Sequence, residues 1–178
     1  MVRHSKGRER SKNRLKRRLI PAALAGATLA ILVLLLEYFR IDLLYGVGTS
    51  AIIFTSFASS IFIMFIMPNS RAAKASKFVK SYLLAAIVGY IGGFATSILP
   101  LFVVAGIVVF VLIVLMILTY SEHPPAAAIA FAFVLSHIGI AGIAIIVIGI
   151  AIILLLRFIL EKSIFELERK IEKIERNI

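Results

Sequence analysis

The residues in this sequence that are best placed for chemistry are a histidine and a glutamate directly before two prolines. Residues 121–128 read Ser-Glu-His-Pro-Pro-Ala-Ala-Ala. Histidine has an unperturbed pKa of about 6.5, so both of its charge states are reachable near neutral pH. His123 is therefore a candidate to hydrogen-bond an anion or to carry a proton, and Glu122 is a second candidate for proton coupling. The alternative is a solvated histidine and glutamate in a loop.

The two prolines predict the start of a short helix at Pro124 or Pro125, because proline is well placed in a first helical turn and poorly placed inside a helix. About 12–14 residues separate this start from Ser136 and His137. At 1.5 Å per residue such a helix reaches only part of the way across about 30 Å of hydrocarbon. His137 is expected to pack at the turn that follows.

A hydroxyl-rich passage earlier in the chain, residues 55–60, predicts a second helix start, because Ser and Thr side chains can accept hydrogen bonds from free amides. Two helix N-termini facing each other would present those amides and about half a positive charge each. The same hydroxyls could instead bond between spanning helices. The pattern predicts a site for a small inorganic anion, lined by Thr55, Ser56, Phe57, Ala58, Ser59, Ser60, His123, Pro124, Pro125, Ala126, Ala127 and Ala128.

The composition indicates that these elements lie in a membrane. Apolar residues make up 61% of the chain and the mean hydropathy is +1.05, against about 45–50% apolar residues in a soluble domain. Four stretches without Lys, Arg, Asp or Glu cover residues 19–36, 43–70, 81–121 and 123–156. Since a spanning helix needs about 20 residues, the sequence predicts an all-α integral membrane protein with five or six transmembrane segments. Two of these segments are expected to be broken or half-length.

The apolar segments divide into two halves of about 19–97 and 98–160, each with an interrupted segment between two spans. Three crossings per half would invert the second half relative to the first, and paired interruptions are typical of a transporter site. Residues 1–18 form a basic tail without apolar patterning, which predicts disorder. Residues 161–178 are predicted to form a C-terminal amphipathic helix with heptad spacing.

The formal charge of +11 is interpreted as a record of membrane orientation. Nine basic residues precede the first apolar stretch, four lie between residues 71 and 80, and six follow the last stretch. Only Arg40 lies on the other side of the predicted topology. Because basic residues accumulate on the cytoplasmic side, the pattern predicts a multi-pass protein of the cell membrane with both termini cytoplasmic. The tail favours anionic lipid over nucleic acid as its partner, since no aromatic residues interleave with its charges.

The C-terminal helix carries apolar residues at heptad spacing. This spacing predicts homo-oligomerisation through a helix continuous with the last span. The alternative is an amphipathic helix that lies on anionic lipid or folds back on the loop at residues 71–80. The residues concerned are Leu160, Ile164, Leu167, Ile171, Ile174 and Ile178.

The sequence contains no pattern typical of an enzyme. Cysteine is absent, so disulfides and thiolate chemistry are excluded. His123, His137 and Glu122 do not form a metal set of the usual spacing. No catalytic residue, metal or cofactor is therefore expected. Gly89 and Gly93, with Gly92 between them, predict a close-packing helix face.

Residues 121–128 resemble the HPP family of integral membrane proteins, which is named for a His-Pro-Pro motif. The family pattern reads roughly His-Pro-Pro-Ala-Gly-Ala, and Ala127 stands in place of its glycine. A second block, roughly Phe-Gly-Ala-Ser before an apolar run and a Pro-x-Ser turn, resembles residues 57–70, with Ala58 in place of its glycine. After Pro68 this chain lacks the usual Ala-Gln-Pro-Arg-Asn and Gly-His residues, which bears on the substrate more than on the fold.

The resemblance covers about residues 20–160 and implies a small multi-span membrane protein. The family is often drawn with four spans, and some members are implicated in nitrite transport. The expected function is therefore a transporter or channel for a small inorganic anion, with nitrite favoured. One alternative is a non-transporting oligomeric membrane scaffold. A second is a proton or cation path that uses Glu122 and His123.

Overall fold

The computed structural model describes the backbone of residues 2–38 and 41–175 and, within these, the side chains of residues 19–35, 37–38, 48–160 and 162. This part of the chain contains helices and loops but no strand, which confirms the predicted all-helical fold. A short 3-10 helix at Arg71–Ala73 precedes α3. The α-helices are α1 (Val2–Tyr38), α2 (Ile41–Ile66), α3 (Ala75–Ala95), α4 (Leu101–Leu118), α5 (Ala126–Ser136) and α6 (Ile140–Glu175).

Four of these helices contain segments long and apolar enough to cross a membrane. Within the described residues the segments are Gly48–Ile66, Ala75–Ala95, Leu101–Leu118 and Ile140–Leu160. Two shorter apolar segments lie at Leu19–Leu35 and Ala126–Ser136. The protein is therefore membrane-embedded, with four candidate spans by length and composition.

The predicted break in the second apolar stretch is wrong, because α2 is one continuous helix of 26 residues. Thr55 donates to the carbonyl of Ala51 at 2.7 Å, and Ser59 donates to that of Thr55 at 2.9 Å. Hydroxyls that bond back to the preceding turn are compatible with a helix interior. Phe57 and Ser60 consequently lie inside α2, and no helix begins there to face α5.

The two ends of the chain continue the first and last helices. The basic segment at residues 1–18 is predicted to be disordered, whereas its backbone is helical from Val2. Lys, Arg and Glu are good helix formers, and no proline precedes Pro21. At the other end α6 extends to Glu175. Leu160 packs partly buried against the core. The side chains of the remaining heptad positions lie outside the described residues: Ile164, Leu167, Ile171, Ile174 and Ile178.

The short helix α5 lies at the centre of the bundle and packs against α2, α3 and α4, while α1 contacts α2 and α6. Its closest neighbour is α3. A Cβ atom on Gly89 would lie 2.7 Å from the carbonyl oxygen of Ala130 and 2.8 Å from its Cα. The predicted close-packing face is therefore confirmed at Gly89, where only a residue without a side chain lets the two backbones approach this closely.

Candidate functional site

His123 lies in the loop between α4 and α5 and is fully buried. Its Nδ1 atom is 2.8 Å from the carbonyl oxygen of Ala72. A carbonyl oxygen only accepts, so Nδ1 carries a hydrogen and donates it. On the other side of the ring, Nε2 is 2.8 Å from Oγ of Ser60 on α2. The imidazole therefore connects the loop before α3 to the interior of α2.

The contact with Ser60 is the first link in a series of buried hydroxyls. Oη of Tyr82 on α3 lies 2.7 Å from Oγ of Ser60 and 2.7 Å from Oγ of Ser56. Ser56 in turn donates to the carbonyl oxygen of Pro125 at 2.7 Å. We call this series the His123 chain. It runs from the Ala72 carbonyl through His123, Ser60, Tyr82 and Ser56 to the Pro125 carbonyl.

Aromatic rings enclose the His123 chain. Phe57 stacks on Tyr82 with ring centroids 5.2 Å apart. Phe78 lies 4.6 Å from the Tyr82 ring and meets the His123 ring edge-on at 5.4 Å. Both phenylalanines are fully buried. The polar atoms of the chain therefore lie in an apolar environment, where hydrogen bonds are stronger and an unpaired polar atom costs more than in water.

The backbone amides after the prolines, which the sequence predicts as an anion site, make hydrogen bonds within their own turn. The amides of Ala126, Ala127 and Ala128 donate to the carbonyls three residues earlier at 3.1, 3.1 and 3.2 Å. Pro124 and Pro125 have no N–H group to contribute. The imidazole and the hydroxyls are thus the side-chain polar groups that converge at this end of α5.

Glu122 lies next to His123 in sequence but on the outside of the molecule. Its side chain is 48% exposed and forms an ion pair with Lys77 on α3. This contact holds the pKa of Glu122 below its ordinary value, and Arg71 adds a weaker charge effect in the same direction. His123, in contrast, is fully buried among aromatic side chains. The two candidates for proton coupling therefore have opposite environments.

The structure brings together only some of the residues predicted from the sequence. Ser56, Ser60, His123 and Pro125 meet in the His123 chain, and Phe57 borders it. Thr55 and Ser59 are exposed and bond to their own helix. Tyr82 is a member that the sequence interpretation missed. Its only signal is a phenol among the mostly apolar buried residues of α3.

The other end of α5 carries a second histidine contact. His137 caps the helix in the left-handed conformation, with φ 50° and ψ 42°. Its Nε2 lies 2.6 Å from Oγ1 of Thr96, the residue that caps α3. The neighbouring Ser136 hydrogen-bonds to Thr49 on α2. His137 therefore contributes to helix packing, as its position at a turn predicts.

A metal-ligating cluster is absent from the residues that the structure describes. No group of three or more His, Cys, Asp or Glu residues lies close enough to hold a metal ion in that part of the chain. A cavity of about 240 Å³ between α3 and α4 is bordered by apolar residues, including Val88, Gly92 and Val108. No member of the His123 chain lines it.

Comparison with known families agrees with the motif at the start of α5. A family model described as "HPP, transmembrane region" matches residues 12–169. The match includes all members of the His123 chain and most of the described bundle. A search of curated proteins and a search of solved structures found no match.

Proposed function

Because this chain belongs to the HPP family of transmembrane proteins, we propose that it is a transporter or channel for a small inorganic anion, with nitrite as the first candidate substrate. The observation that best supports anion transport is the chemical type of the polar side chains buried in the bundle. Apart from Tyr82, the buried polar side chains of the described residues are hydroxyls and one imidazole, namely Thr28, Thr49, Ser50, Ser56, Ser60, Ser81, Ser121 and His123.

This set of groups favours an anion over a metal cation. Hydroxyls and an imidazole can donate hydrogen bonds to an anion, whereas hard cations need oxygen ligands such as carboxylates. Glu122 is the acidic residue nearest the site, and it is exposed and paired with Lys77. Ionisable residues inside a membrane protein commonly belong to substrate or proton pathways. His123 is such a residue.

In this proposal the His123 chain forms the inner part of the pathway. Lys77 pairs with Glu122 beside His123, and Arg71, Lys74 and Lys80 lie in the same segment of the sequence. The rule for basic residues therefore assigns that end and both termini to the cytoplasmic side. Ser56 lies ten residues before the end of α2 at Ile66. At 1.5 Å per residue this is about 15 Å, or half of a hydrocarbon core of about 30 Å.

The proposed topology has six crossings in two inverted halves. The 17-residue apolar part of α1, Leu19–Leu35, and the 11-residue α5 supplement the four longer candidate spans. In this arrangement α5 is a half-length helix, and the loop that contains His123 supplies the rest of its crossing. A half-length helix places an irregular backbone segment inside the bundle, where transporters commonly bind their substrates.

The test is a flux panel in proteoliposomes with nitrite, nitrate, formate and chloride. Protein-dependent uptake of at least one of these anions is expected, with nitrite the fastest. His123→Ala should abolish that uptake while the protein still inserts into the membrane, and Tyr90→Phe is a matched control on α3 away from the His123 chain. No uptake of any of the four anions would overturn the proposal and favour a scaffold.

A further inference from the structure

The His123 chain ends on a backbone carbonyl at both sides. The carbonyls of Ala72 and Pro125 can only accept hydrogen bonds. Between them lie five links: Ala72 to His123, His123 to Ser60, Ser60 to Tyr82, Tyr82 to Ser56, and Ser56 to Pro125. All five have heavy-atom distances of 2.7 or 2.8 Å. Each link needs one hydrogen.

When the imidazole is neutral, the His123 chain has one hydrogen too few for its five hydrogen bonds. With Nδ1 donating to Ala72, the ring contributes one hydrogen and the hydroxyls of Ser60, Tyr82 and Ser56 contribute three more. Four hydrogens cannot fill five links. Ser56 gives its hydrogen to Pro125 and Ser60 gives its hydrogen to Nε2, so one of the two contacts of Tyr82 brings two oxygen atoms together without a hydrogen. The carbonyl of Ser56, 3.0 Å from Oγ of Ser60, competes for the same hydroxyl hydrogen.

A proton on Nε2 supplies the missing hydrogen. The imidazolium then donates to both Ala72 and Ser60. The hydroxyl of Ser60 turns to Tyr82, and that of Tyr82 donates to Ser56. Every link is filled, and the direction of the hydrogen bonds at Ser60 is reversed. The hydrogen count thus favours the charged ring, whereas its apolar surroundings oppose it.

The buried imidazolium would lack a resident counter-charge. The charged groups on the surrounding elements are all basic except Glu122 in the loop. The basic ones are Arg71 in the 3-10 helix, Lys74 directly before α3, Lys77 and Lys80 on α3, and Arg157 on α6. Arg157 donates to the carbonyl of Ala73 at 2.7 Å, and the carboxylate of Glu122 is already paired with Lys77. Tyr82, the other titratable group, belongs to the chain itself. No negative charge is therefore available beside the ring among the residues that the structure describes.

We propose that His123 takes up one proton from the aqueous phase when the transported anion binds, so that proton and anion cross the membrane together. The proton adds to the lone pair of Nε2 and leaves again when the anion departs. The bound anion supplies the counter-charge that the protein lacks, and opposite charges nearby favour the ionised ring. Without the anion, the buried and apolar surroundings of the ring disfavour its charged form.

This inference rests on the proposed anion transport, and the first experiment separates the two. Proteoliposomes contain a pH-sensitive dye, and nitrite uptake and internal acidification are recorded together, with protein-free vesicles subtracted for passive entry of nitrous acid. One proton per nitrite is expected. Nitrite uptake without protein-dependent acidification would overturn proton coupling and leave the transport proposal intact. No uptake of nitrite or any other anion in the panel would overturn both.

A second experiment tests the hydrogen count directly. Tyr82→Phe removes both contacts of the Tyr82 hydroxyl, including the one that lacks a hydrogen. The remaining three links are then filled with a neutral ring, and the advantage of protonation falls. The midpoint of the pH dependence of nitrite uptake should move to lower pH by roughly 0.5 to 1 unit, from a net hydrogen bond of ordinary strength. Tyr90→Phe on the same helix should not move it.

Three outcomes of the second experiment contradict the inference. They are an unchanged midpoint in Tyr82→Phe, a shift to higher pH, and an equal shift in the Tyr90→Phe control. If Tyr82→Phe does not fold, proton uptake on addition of nitrite is measured in detergent for the wild-type protein and for His123→Gln. Uptake should occur in the wild type alone, and its absence there refutes proton binding.

Discussion

Two neighbouring serines of α2 provide a matched test of the site. Ser60 contacts Nε2 of His123 and Oη of Tyr82 at 2.8 and 2.7 Å and is fully buried. Ser59 is exposed and bonds only to the carbonyl of Thr55 on its own helix. The two substitutions to alanine remove the same atoms, so any difference between them reports the contacts of Ser60.

The expected cost of Ser60→Ala follows from the two contacts between helices that it removes. Such bonds in membrane proteins average about 0.6 kcal/mol and reach about 1.7 kcal/mol. A buried polar atom left without a partner costs about 1–3 kcal/mol. Ser60→Ala should therefore lower the free energy of unfolding by about 1–3 kcal/mol, because Nε2 of His123 loses its partner. Ser59→Ala should lower it by less than about 0.5 kcal/mol, as for other surface changes.

The assay is unfolding of both variants in mixed micelles, followed by nitrite uptake in vesicles. Ser60→Ala should also lose most of its uptake, whereas Ser59→Ala should retain it. Equal stability losses in the two variants would refute the assignment of Ser60 to a buried chain. A stable Ser60→Ala protein with wild-type uptake would refute its role in the pathway as well.

Three further predictions concern other parts of the molecule. Gly89→Ala should destabilise the bundle by about 1–3 kcal/mol through overpacking against α5, while Gly106→Ala, where a Cβ meets nothing within 4 Å, should not; equal unfolding midpoints would contradict the close approach. Glu122→Gln should leave nitrite uptake unchanged above about pH 5. The carboxylate is exposed and its lowered pKa keeps it ionised in that range, so it does not bind and release a proton during transport. Loss of uptake would favour a path through Glu122. A chain cut after Ser163 should form particles in detergent with fewer protein chains each than the full-length protein does. An unchanged number of chains per particle would argue against oligomerisation through the C-terminal helix.

The course of α2 illustrates where the sequence was ambiguous. A Ser or Thr hydroxyl can cap a helix start or bond back to a carbonyl one turn earlier, and both uses fit the same residues. The passage at residues 55–60 predicts a break, yet Thr55, Ser59 and Ser60 bond back to residues 51, 55 and 56. The prolines at 124 and 125 leave no such choice, and α5 begins directly after them at Ala126.

The membership of the site shows the same limit at the level of side chains. Helical spacing separates Ser56 and Ser60 from Thr55 and Ser59, since residues four apart share a face. Which face meets His123 depends on how α2, α3 and α5 pack together. Tyr82 lies on α3 and reaches Ser56 and Ser60 across the contact between α2 and α3. No spacing in the sequence connects residue 82 to residues 56, 60 and 123.

The sequence by itself determined the helical membrane class, the positions of six apolar segments, the start of α5 at the prolines and the family. Composition, charge spacing and the missing N–H of proline act locally, so they can be interpreted without neighbours. Only the tertiary structure decided that α2 is continuous, that Glu122 faces outward and that His123 joins three hydroxyls in one buried series. The last two of these features depend on contacts between residues 22 to 69 positions apart, and packing rather than local preference selects such contacts.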